Sequence, residues 1–122
     1  MSYFNDLSID EELTTEVNKE TRVVALKALR NLVLTTPVKT GRAKGNWQVG
    51  VSFDPVTEID RKSKTGAVAI RTGQSEIASA KGKGLVDIVI ANNLPYIERL
   101  NDGWSEQAPA KFVEKALRRA IK

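Results

Sequence analysis

Four groups of residues in this chain have types and spacings that could do chemistry. The carboxylates Asp54, Glu58 and Asp60 are hard oxygen ligands of the kind that hold Mg²⁺ in a nuclease or hydrolase. They share their stretch with Arg61, Lys62 and Lys64, and mixed charge of that sort describes a solvated loop. Gly82-Lys83-Gly84 has the outline of a phosphate loop, but the leading glycine would fall at Ile77 and no Ser or Thr follows Lys83, which excludes it. Ser105, beside Trp104, has no histidine in the chain to activate it, which leaves only a Ser-Lys pairing for nucleophilic attack. Gly41-Arg42-Ala43-Lys44-Gly45, ahead of Trp47, could meet phosphates through two cations and its backbone N–H groups. The same stretch reads as a helix-to-strand turn whose arginine pairs with a carboxylate of its own fold or of a neighbour.

Composition narrows these options. A chain of 122 residues has room for one modest domain. With no cysteine and no histidine, it lacks a disulfide framework, a thiolate nucleophile, and the commonest metal ligand and general base. That removes many enzymes at once, and no cofactor, metal or small-molecule substrate is expected. Nineteen Lys and Arg against fifteen Asp and Glu give a net charge of +4, and the cations are scattered rather than massed. No apolar run approaches the roughly eighteen residues of a membrane span, and MSYFNDLSIDEE lacks the basic-then-apolar order of a signal peptide. The chain is expected to be soluble and made in the cytoplasm, with no membrane contact.

The elements that would position these groups follow from periodicity. Leu13, Val17, Thr21, Val24, Ala25, Ala28, Leu29 and Leu32 recur at helical spacing, and Ser8 with Glu11 has the form of a capping box, so a helix is expected over about 9–35, ended by Pro37. Val23, Leu26 and Val33 lie off that stripe and imply a second contact surface. Trp47, Val49, Val51 and Phe53 alternate with Gln48, Gly50 and Ser52, which predicts a strand over about 46–53 with Trp47 facing the core. Residues 54–65 should form an exposed, mobile loop. The stretch 66–80 reads as a helix on Ala67, Ile70, Gln74, Ile77 and Ala78, stopped by Gly82 and Gly84, although Val68 to Thr72 alone would suit a strand. The β-branched run 85–91 predicts a central strand, 92–108 a structured turn, and 109–121 a helix with its basic residues towards the C-terminal end. The fold class expected is α+β in a single domain.

Within 92–108, Asn92 and Asn93 can cap backbone groups, Pro95 fixes chain direction, and Tyr96 and Leu100 can lie against the sheet. Gly103 permits a positive φ, and Trp104 serves either the core or a neighbouring subunit.

Together, Thr36-Pro37-Val38-x-Thr40-Gly41-Arg42 leading into Trp47, Asn92-Asn93-x-Pro95-Tyr96, Leu100-x-x-Gly103 and Gln107-Ala108-Pro109 resemble the tail-completion or neck proteins of tailed bacteriophages, the family that includes minor tail protein Z-like chains. The resemblance runs from about Thr36 to Val113. The family's turn often carries an acidic residue where this chain has Lys39, and another where it has Asn101; Glu98 and Asp102 lie close enough in sequence to substitute. What the resemblance implies is a long N-terminal helix packed on a small, mainly antiparallel sheet, with a short middle helix and a C-terminal helix. It also implies a structural virion protein at the neck or tail, without enzymatic activity, assembled in the host cytoplasm as a ring of about six or twelve copies. Other neck and tail proteins would be its partners, with Arg42 and Lys44 able to face passing DNA. Pro37, Gly41, Arg42, Trp47, Asn92, Asn93, Pro95, Tyr96, Leu100, Gly103, Trp104 and Pro109 are then the residues of the structural turn and interface. The alternative is a small basic nucleic-acid-binding module built on the same turn and the two tryptophans; a metal-dependent hydrolase using Asp54 and Asp60 ranks last.

Overall fold

The computed structural model describes residues 7–38, 41–80, 84–103 and 110–121, with 7–11 as backbone alone. The chain is an α+β domain. Helix α1 (Leu7–Thr35) is followed by the single turn α2 (Arg42–Gly45), strand β1 (Trp47–Val51), helix α3 (Ala67–Ala78), strand β2 (Ile88–Asn92), the short helix α4 (Ile97–Asn101) and helix α5 (Phe112–Ile121). No helix among the described residues is long and apolar enough to cross a membrane.

Helix α1 begins at Leu7, which puts Ser8 inside the first turn instead of at the capping position expected for it. The helix closes on itself: the Thr35 hydroxyl donates to the Asn31 carbonyl (2.6 Å) and the Thr36 hydroxyl to the Leu32 carbonyl (2.5 Å) before Pro37 ends the series. Its core-facing residues are Ala25, Ala28, Leu29, Leu32 and Val33. Val33, expected off the main stripe, is fully buried beneath Gly66, whose missing side chain makes room for it. Leu13 and Val17, expected on the stripe, are 60% and 48% exposed. Among the described residues, the apolar arc of α1 is thus covered over its C-terminal half and exposed at Leu13 and Val17.

Strands β1 and β2 pair antiparallel, with Trp47 opposite Asn92, Val49 opposite Ile90 and Val51 opposite Ile88. They form a two-stranded sheet, so β2 is an edge strand and not the central strand expected. Both strands are shorter at one end than periodicity implies. Ser52 adopts φ 65°, which turns the chain out of the sheet and leaves Phe53 exposed. Upstream of β2, the Asn18 amide donates to the Gly84 carbonyl (3.0 Å) and accepts from the Val86 N–H (2.9 Å), holding this segment against α1 before pairing starts at Ile88.

Residues 67–78 are helical, and the strand reading fails. Ala69, Gly73 and Ile77 form the buried stripe of α3, one position round from the stripe expected. A Cβ at Gly73 would stand 2.4 Å from Leu29 and 3.0 Å from Val49, so the glycine sets how closely α3 approaches both α1 and the sheet. Helix α5 starts at Phe112, later than expected, because Lys111 takes φ 61°. Phe112, Ala116 and Ala120 lie buried, and the Asn31 amide donates to the Ala116 carbonyl (3.2 Å) to tie α5 to α1. The core is one cluster of Leu29, Val33, Trp47, Ile77 and Phe112 with their apolar neighbours.

Candidate functional site

The turn between α1 and β1 holds Pro37, Gly41, Arg42 and Lys44 of the residues singled out in the sequence, and it is built as a junction around Trp47. The indole is buried, and its N–H donates to the Thr36 hydroxyl (2.8 Å), the same hydroxyl that closes α1. Pro37, next to Thr36 in sequence, is buried as well. Gly41 adopts φ 78°, and a Cβ there would stand 2.8 Å from the backbone of Ser63 and Lys64. At Gly45 the approach is closer, 2.2 Å from the Arg61 carbonyl. These two glycines let the segment 54–65 lie directly on the turn.

That segment is pinned, contrary to the mobility expected of it. Arg42 forms an ion pair with Glu58. The Arg61 guanidinium donates to the carbonyls of Gly45 (2.6 Å) and Trp47 (2.8 Å), and its burial pulls its pKa down from the usual arginine value. Asn46, fully buried, donates to the Arg42 carbonyl (2.8 Å) and accepts from the Ile59 N–H (2.9 Å). Gln48 and Asn93 donate to the carbonyls of Thr57 and Pro55, each at 2.8 Å. Residues 54, 56, 57, 60, 62, 64 and 65 remain exposed, so the segment is an ordered strap whose outer face is polar apart from Val56.

Lys44 departs most from its expected role. It is 7% exposed, and its ammonium donates to the carbonyls of Val33 (2.8 Å) and Leu34 (3.0 Å), the last acceptors of α1. Burial lowers its pKa from the ordinary lysine value. A cation turned inward to cap a helix is not presented to a DNA channel, and Arg42 shares its charge with Glu58. The expected pair of DNA contacts is therefore withdrawn for Lys44, and the reading of Arg42 as an internal partner holds. Asp54, Glu58 and Asp60 belong to no group of three acidic side chains able to hold a metal ion among the described residues.

The second expected segment meets the first across the sheet. The Asn92 amide donates to the Ala43 carbonyl (2.9 Å) and accepts from the Leu94 N–H (3.2 Å), so it both holds the turn and shapes the exit from β2. Pro95 is exposed, Tyr96 is half-buried at the start of α4, and Leu100 packs against the core. A cleft of about 310 Å³ lies between Trp47, Asn92, Ile97 and Val113, with Glu98 and Asp102 in its lining. Gly103 takes φ 94°, with a would-be Cβ 3.1 Å from that of Ala110. Trp104 and Pro109 lie outside the described residues, as do Lys39, Thr40 and Ser105.

Asn101 has its own task. Its amide nitrogen donates to both oxygens of Glu114 (3.0 and 3.1 Å), and its side-chain oxygen accepts from the Val113 N–H (2.9 Å). It caps α5 from outside that helix, a use for which an amide suits better than a carboxylate facing Glu114. The Glu114 pKa is lowered, first by its backbone hydrogen bond and next by Asn101.

Sequence reasoning missed Asn18, Asn46, Asn101 and Arg61 as structural anchors. The one available signal was at Asn18, an amide set among the apolar residues of α1. No family model matches the chain, and no curated protein and no solved structure matches it either.

Proposed function

We propose that this chain is a structural protein of a tailed-phage virion that completes the tail or joins head to tail at the neck, through contacts between copies in a ring and with neighbouring neck and tail proteins. The observation that supports this reading is the junction around Trp47. The Thr36-to-Trp47 and Asn92-to-Gly103 fragments, far apart in sequence, meet there through the Trp47–Asn92 strand pairing and the Asn92 bond to Ala43. The polar side chains of this junction are engaged in internal hydrogen bonds, which makes them a means of fixing shape. A joining protein needs a rigid subunit that presents the same surfaces at each step of a ring. The outer face of the strap at 54–65 is one such surface: Val56 and the basic residues Lys62 and Lys64 stand exposed on a backbone already ordered, so contact there loses little further entropy.

The test is a cryo-electron-microscopy reconstruction of the particle that encodes the chain. A ring of this fold at the neck, between portal and tail tube, is the expected result. Purified virions that lack the chain would overturn the proposal.

A further inference from the structure

Residues 16–28 of α1 form one wall of an open groove of about 580 Å³, with exposed Val17 and half-buried Val24 on the helix side, Ile88 and Ile90 on the sheet side, and Glu16 and Glu20 also in its lining. On α1, Val17, Val24, Ala28 and Asn31 fall at spacings of one helix face, and Asn31 is where the chain's own α5 is bonded. Among the described residues, the groove is therefore the unfilled continuation of a face that already receives a helix. Helix α5 has ten residues against the 29 of α1 and is too short to cover that face alone.

Helix α5 also carries a second apolar stripe beside its buried one. Leu117 and Ile121, one turn apart, are 40% and 75% exposed, and Arg118 flanks them. Glu114 lies on the same flank and keeps its charge, but α5 sets Lys115, Arg118 and Arg119 against it, so the helix is net basic. One surface of the molecule is thus an apolar groove with two glutamates, and another is an apolar helix ridge with an arginine. We infer that the groove of one copy receives the Leu117–Ile121 ridge of α5 from a second copy, with Arg118 set against Glu16 and Glu20. Helix-in-groove docking uses anchors at this i, i+4 spacing. The two surfaces differ, so the contact is head-to-tail and repeats from copy to copy until a ring closes. This extends the ring reading above to named surfaces, and it rests on that reading only for the closure of the ring.

Analytical ultracentrifugation of the full-length chain tests it. The wild type should grow in mass with concentration, while Val17→Glu (groove) and Ile121→Glu (ridge) should each stay monomeric with unchanged circular dichroism. Mixed in equal amounts, the two variants retain one intact groove and one intact ridge between them, and should form a 1:1 dimer that grows no further. Arg118→Glu should weaken association by about tenfold, and adding Glu16→Lys and Glu20→Lys to it should restore the wild-type value. A wild type monomeric up to ~1 mM, an Ile121→Glu chain of wild-type mass, or a mixture without the dimer would overturn the inference. Association of this kind by a chain missing from virions would overturn the phage reading alone; a neck ring built on other surfaces would overturn this inference alone.

Discussion

The junction around Trp47 and the groove along α1 are opposite kinds of surface made from one helix. At the junction the C-terminal end of α1 meets α2 and β1, on which the strap at 54–65 lies, and its last carbonyls are taken by Thr35, Thr36 and Lys44. Along the groove, residues 16–28 of the same helix run from exposed Val17 to buried Ala25 and Ala28, and among the described residues little covers the Val17 end. Directional bonds fix a shape because leaving any one unmade in a buried site costs free energy. Apolar area specifies no geometry of its own and is satisfied by whatever covers it. The difference gives one end of α1 a fixed geometry and makes the other the surface on which the proposed association rests.

The contrast is sharpest where the junction is broken outright. Trp47→Ala removes the indole from the core and leaves the Thr36 hydroxyl without its donor, and should destabilise the fold by about 3–5 kcal/mol in chemical denaturation. A loss under ~1 kcal/mol would mean that the junction does not hold the domain together.

Lys44→Met comes next. It keeps the aliphatic stem but leaves the Val33 and Leu34 carbonyls without their shared donor, at a cost of about 1–3 kcal/mol. The pH dependence separates the ammonium from the stem. Burial holds the folded-state pKa of Lys44 below its ordinary value of 10.5, so between the two the unfolded chain binds more protons than the folded one. The Lys44 contribution therefore increases stability as pH rises through that window, and the rise should be absent from Lys44→Met. Glu58→Gln is milder. The Arg42–Glu58 pair is about one-third exposed on each side, and breaking it should cost less than ~1 kcal/mol and less still at high salt. A larger loss would identify this pair, and not the buried amides, as the fastening of the strap.

How much of this was legible in the sequence depends on the range of the interaction. The helical stripe of α1, the alternation in β1 and the amphipathic C-terminal segment depend on neighbours a few residues away, and all three elements formed where the pattern placed them. Their ends moved where single residues took positive φ, Ser52 and Lys111, neither of which is a glycine that would have signalled it. The site was legible by residue but not by role. Trp47, Arg42 and Asn92 were singled out, yet Lys44 read as an outward cation, because nothing local states that α1 ends at Nζ distance from it. Asn18 bonds the backbone 66 and 68 residues ahead, and no periodicity carries information over that distance.

The smallest expected effect bears on the groove. Val17 is half exposed, so Val17→Glu removes little buried surface, keeps a strong helix former in α1, and should change the stability of the isolated domain by no more than about 0.5 kcal/mol. Association complicates the measurement in an informative way. If wild-type copies fill one another's grooves, their folded state is stabilised by mass action, and the wild-type Tm should climb with protein concentration while that of Val17→Glu stays flat. At high dilution the two melting temperatures should converge. A Tm gap that persists on dilution would mean that Val17 supports its own domain, and the groove would then be a weak part of the core and not a docking surface.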